Sequence, residues 1–78
     1  MTQTENKVIE LLKAQDDTVD YASVQHLIDD RILDSFGVIS LVADLEDAFG
    51  VQVDTAQMIP ENFNSAAAIA RMVEDLEG

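Results

Sequence analysis

At 78 residues the chain has room for one small domain with a modest core, which argues against an enzyme built around a deep, water-excluding pocket. Sixteen acidic residues against four basic ones leave a formal net charge of −12, so nucleic acid and anionic membranes repel it and partners with basic surfaces are favoured. Cysteine is absent, which removes disulfides, cysteine-based zinc sites and any thiol nucleophile of the chain's own.

The first residues, MTQTENK, lack the apolar stretch of a signal peptide, and no apolar run approaches the length of a membrane span. The expectation is a cytoplasmic monomer, one domain over residues 1–78. Thr2 and Glu5 fit a capping box, and Val8, Leu11 and Leu12 then recur at helical spacing with Ile9 and Ala14 beside them. This predicts a first helix over residues 3–15. Residues 16–34 form a long connection of the kind that often carries function. Its apolar members Val24, Leu27, Ile28, Ile32 and Leu33 keep no sustained period and are expected to pin it against the helices. A short helical turn around residues 22–28 is compatible with them.

From Phe36 to Phe49 the helical pattern is clear. Val38, Leu41, Val42, Leu45 and Phe49 fall on one side, which should be buried, while Phe36, Ser40, Ala43 and Asp47 fall on the other. Gly50 suits the C-cap. Val51-Gln52-Val53 is too short and isolated to make a sheet. Pro60 stops any helix arriving from Asp54–Gln57 and suits the first turn of a new one, Pro60–Phe63. Ser65 caps a last helix over residues 66–76, with Ile69, Met72, Val73 and Leu76 as its buried stripe. The predicted fold is all-α: a small four-helix bundle with three longer helices, one short one and a long first loop.

Ser35 stands at the start of the second helix, directly after a carboxylate. One reading makes it the N-cap, giving an oxygen to orphan N–H groups. The other makes it the attachment point of a phosphate-linked group, since a helix N-terminus favours an anion. Both need the same geometry, so spacing does not separate them. Phe36 favours the second. With Ala43 two turns on and Ile39 at the edge, it makes an apolar strip ringed by Asp34, Asp44, Glu46 and Asp47, the pattern of a docking surface. Asp29, Asp30 and Asp34 do not match the alternating ligands of a calcium loop. His26 could pair with Ser23, Ser35, Ser40 or Ser65, but no third group or oxyanion loop accompanies it.

Leu33-Asp34-Ser35-Phe36 runs into Leu41-Val42-Ala43-Asp44-Leu45-Glu46-Asp47-Ala48-Phe49-Gly50. Together with Pro60-Glu61-Asn62-Phe63 and the Ala-rich last helix, this resembles the acyl carrier protein family over nearly the whole length. The resemblance implies a four-helix carrier that is not an enzyme, with 4′-phosphopantetheine from coenzyme A on Ser35 beside Asp34, attached by a phosphopantetheinyl transferase. The cofactor's thiol would then supply what the missing cysteine does not, holding an acyl or aminoacyl group as a thioester. It implies docking through Phe36, Ile39, Ala43, Glu46 and Asp47 to an acyl- or aminoacyl-loading ligase and to downstream synthase enzymes with basic patches. An acyl chain would be lined by Val38, Leu41, Leu45, Ile59 and Phe63. Gly37 and Ser40 depart from fatty-acid carriers, which often have acidic residues there. The Asp-Ser-Phe variant also resembles stand-alone D-alanyl carriers and small carriers of specialised peptide or polyketide assembly. A rival of another class is an acidic interaction module that works unmodified.

Overall fold

The computed structural model describes residues 3–78. Four α-helices follow one another: α1 (Gln3–Gln15), α2 (Ser35–Phe49), α3 (Pro60–Phe63) and α4 (Ala66–Glu77), with a 3-10 turn at Thr55–Gln57. No strand occurs among the described residues. The expected Thr2 cap of α1 lies outside the described residues.

The helix ends follow local chemistry. Gly50 sits at φ 67° and its N–H closes on the Glu46 carbonyl at 2.9 Å, a left-handed cap that strains any residue with a Cβ. Pro60 opens α3, where its missing N–H costs nothing. Ser65 caps α4 as expected, its Oγ accepting from Ala68 N at 3.0 Å.

Helix α1 packs against α4 and α2, and α4 also covers α2 and α3. Val8 and Leu12 meet Leu41, Val42 and Leu45 of α2 in one core with Ile69, Met72 and Val73 of α4. Burying such side chains contributes roughly 1.5–3 kcal/mol each before entropy is counted. The expected stripe of α2 is trimmed at its ends: Val38 and Phe49 are only half-buried. Leu76 is likewise half-buried, whereas Ala66 and Ala70 are buried in the stripe's place.

The 16–34 connection carries no helix. It is built from separate turns: Val24 N donates to the Asp20 carbonyl and Asp30 N to the His26 carbonyl, and neither bond propagates. Leu27 and Leu33 are buried as anchors, but Ile32 is 39% exposed and so does not pin the loop.

Tyr21 is a third anchor, buried with its hydroxyl donating to the Asp16 carbonyl at 2.7 Å. Burial, and then the carboxylates of Asp16 and Asp17, push its phenol above the usual value of 10. A folded value above the unfolded one means stability that is whole below the ordinary pKa and is lost as pH rises through the folded one. Tyr21 is the single tyrosine and tryptophan is absent, so tyrosinate absorbance reports this group alone. Above about pH 10 its ionisation is expected to coincide with loss of helical ellipticity, and Tyr21→Phe to flatten that alkaline transition. Ionisation at the ordinary pH with ellipticity intact would contradict this.

Candidate functional site

The first turn of α2 is set by Asp34, not by Ser35. Asp34 is extended (φ −96°, ψ −176°) and its Oδ1 accepts from Gly37 N at 2.8 Å, so Asp34 is the N-cap and Ser35 is already helical. This corrects the reading of Ser35 as a cap. Asp and Ser cap equally well, and the carboxylate one residue earlier takes the bond. The consequence is chemical. Ser35 is exposed, and among the described residues nothing accepts from its hydroxyl. Its backbone N–H and that of Phe36 likewise meet no acceptor among the described residues, as expected for the first groups of a helix. An exposed hydroxyl beside two orphan N–H donors at the positive end of a helix fits an attached phosphodiester.

Gly37 has a packing reason. Gln15, the last residue of α1, donates from Nε2 to the Gly37 carbonyl at 3.1 Å. A Cβ at position 37 would stand 2.8 Å from Leu33 Cδ1 and 3.1 Å from Gln15 Oε1. The acidic residue common there in fatty-acid carriers would have to displace the buried Leu33.

Beside Ser35 lies a cleft of about 500 Å³. Ile28, Arg31 and Leu33 of the loop form one wall, and the cap Asp34 with Ser35, Val38 and Ile39 of α2 another. Met58, Ile59, Pro60 and Phe63 close it. Val38, Ile59 and Phe63 are thus among the lining, as expected. Leu41 and Leu45 are not: both are wholly buried in the helical core and absent from the lining.

The loop wall is held by Asn64, which sequence reasoning missed. The Asn64 carbonyl accepts from Leu27 N at 2.8 Å, while its Oδ1 accepts from Ile28 N at 3.0 Å and Asp29 N at 3.2 Å. These bonds join positions 35–37 residues apart, which no local pattern encodes. His26 lies exposed with Nδ1 3.5 Å from Asp29 and is absent from the cleft lining. Among the described residues no cluster of His, Cys, Asp or Glu could hold a metal ion, and no helix is long and apolar enough to cross a membrane.

On the outer face of α2, Phe36 is 83% and Ile39 62% exposed. Ala43 and Asp47 are exposed too. Glu46 differs: it is half-buried, and its Oε2 accepts from Val53 N at 2.9 Å, tying the segment after α2 back onto the helix.

Residues 6–73 match the family model described as "Phosphopantetheine attachment site". Over 53 residues the chain is 30% identical to the D-alanyl carrier protein of Streptococcus pyogenes serotype M5 (strain Manfredo), covering 68% of this chain and 67% of that protein. The D-alanyl carrier protein of Streptococcus equi subsp. zooepidemicus (strain MGCS10565) matches with the same identity and coverage.

Proposed function

The chain belongs to the family of carrier domains with a phosphopantetheine attachment site, and on that premise we propose that Ser35 is the residue that bears the group. The cofactor of the family is 4′-phosphopantetheine, whose thiol supplies the thioester chemistry; the domain is a carrier, and catalysis lies with its partners. The observation that carries the assignment is the exposed Ser35 hydroxyl, without an acceptor among the described residues, next to a cap that Asp34 already provides.

This geometry explains why a separate transferase is needed. Attack of Ser35 Oγ on the phosphoanhydride of coenzyme A forms a serine–phosphate bond and releases the nucleotide part. The hydroxyl proton goes to a base, and among the described residues none stands on Oγ. Asp34 Oδ1 accepts from Gly37 N, and neither Asp34 oxygen accepts from Ser35 Oγ. The base is therefore assigned to the transferase.

Docking of the transferase, of a loading ligase and of downstream enzymes is assigned to the outer face of α2. Phe36, Ile39 and Ala43 supply apolar contact, Asp47 faces Lys or Arg of the partner, and Glu46 contributes the oxygen that Val53 leaves over. Weak, charge-steered contact suits a domain that must visit several enzymes in turn. Phe36→Ala is expected to slow partner turnover roughly tenfold, in keeping with an anchor worth about 1–2 kcal/mol, while stability moves by less than about 0.5 kcal/mol. Equal losses of both would place Phe36 in the core instead.

The cargo reading follows the cleft: its largely apolar lining beside Ser35 supports an acyl group. The second reading, an aminoacyl group such as D-alanine, is supported by the similarity to D-alanyl carrier proteins. The phosphopantetheine-bearing protein is tested with a fatty-acyl ligase and, separately, with a D-alanine-activating ligase. The carrier reading expects a hydroxylamine-labile mass gain with at least one of them, and the ligase that succeeds identifies the class. Loading that survives Ser35→Ala would overturn the site, and a wild type that no transferase loads would favour an unmodified acidic interaction module.

A further inference from the structure

Arg31 is the one described non-glycine residue with positive φ, at 58°. Only a few residue types adopt that backbone region without penalty, and outliers of this kind gather at functional sites. Three hydrogen bonds hold the conformation: Asp30 N to the His26 carbonyl, Arg31 N to that of Ile28, and Leu33 N to that of Leu27. The turn brings Arg31 to the wall of the cleft that also contains Ser35.

Its charge is unusual in its setting. The chain has four Lys and Arg residues against sixteen acids. Lys7 and Lys13 lie on α1 and Arg71 on α4, so Arg31 is the single basic residue of the cleft lining. Among the described residues no carboxylate forms an ion pair with it; the pairs present are Lys7–Glu10 and His26–Asp29. The neighbouring Asp29 is taken up by Asn64 and His26. A guanidinium without a counter-ion in so acidic a chain lacks an anion, and its planar donors match phosphate oxygens well.

We infer that Arg31 is the counter-ion of the phosphodiester carried at Ser35, and that it lays the first part of the arm along the apolar cleft. This rests on Ser35 as the attachment point. Arg31 is a positioning residue: it takes no part in the thioester chemistry. The strained turn places the guanidinium, and the orphan N–H groups of Ser35 and Phe36 complete the donors around the same phosphate.

The test compares wild type, Arg31→Gln and Arg31→Lys, each with and without the phosphopantetheine group. Two quantities are read: the ³¹P chemical shift of the phosphodiester, and the melting-temperature change on loading at low and high salt. Backbone effects of the substitution are common to loaded and unloaded protein and cancel in that change. The expected result is a ³¹P resonance displaced in Arg31→Gln, with Arg31→Lys between it and wild type. Loading should stabilise wild type by about 2–5 °C more than Arg31→Gln, and salt should shrink the difference. Identical ³¹P shifts and equal melting changes, in proteins shown by mass to be loaded, overturn the role of Arg31 alone. Failure of wild type to take up the group overturns the Ser35 assignment and this inference with it.

Discussion

Ser35→Ala will take up no phosphopantetheine from coenzyme A in the presence of a transferase that loads the wild type fully. The loss is all-or-none because the variant lacks the oxygen that bonds to phosphorus. Stability should barely move. Ser35 is exposed, the capping bond belongs to Asp34, and alanine is a good helix former, so a change within about ±0.5 kcal/mol is expected in a urea titration. A drop nearer to 1–2 kcal/mol would mean that Ser35 does capping work after all.

The largest effect on folding is expected at Phe63. It is fully buried where α3 meets α4, and it also closes the cleft beside Ser35. Truncation to alanine removes a ring and leaves a void, which costs about 3–5 kcal/mol. A domain of this size is stable by only about 4–12 kcal/mol, so Phe63→Ala should lose at least about a quarter of that stability. Phe63→Leu should keep the fold at a smaller cost, with a changed cleft. A loss below about 1 kcal/mol for Phe63→Ala, measured by urea denaturation, would show that the site collapses easily and that Phe63 is peripheral to the core.

Helix bounds were legible because their signals are local. Gly50 after Phe49, Pro60 at the head of α3 and Ser65 before α4 each mark an end by their own backbone chemistry. The exposure of Phe36 was legible from the helical period, since the opposite face had its full complement of large apolar residues. The first loop was not legible, and Ile32 and Leu33 show why. They are adjacent and alike in hydropathy, yet one is 39% exposed and the other buried. The left-handed turn at Arg31 decides which of them points inward, and nothing in a hydrophobic pattern marks a non-glycine residue as left-handed.

The site was readable to the same depth. Asp34-Ser35-Phe36 marked the proposed attachment point, but the capping reading fell on Ser35, one residue late, because both side chains are suitable acceptors. The cleft wall depends on Asn64, whose partners lie far along the chain, and on the left-handed turn at Arg31. Leu41 and Leu45 share the face of Val38 in helical projection, so the projection could not say that only Val38 reaches the cleft. Depth along α2 depends on where the loop and α3 sit, which is tertiary information. Gly37 is a related case. It looked like a loss of charge, but the close approach of Leu33 and Gln15 makes it a fit.

The most direct measurement is the intact mass of the wild-type protein before and after incubation with coenzyme A, magnesium and a permissive phosphopantetheinyl transferase, followed by fragmentation to locate the added group. The account predicts a gain of one phosphopantetheine, carried on Ser35 and on no other serine. No gain with several transferases, or a gain located on Ser23, Ser40 or Ser65, would contradict it.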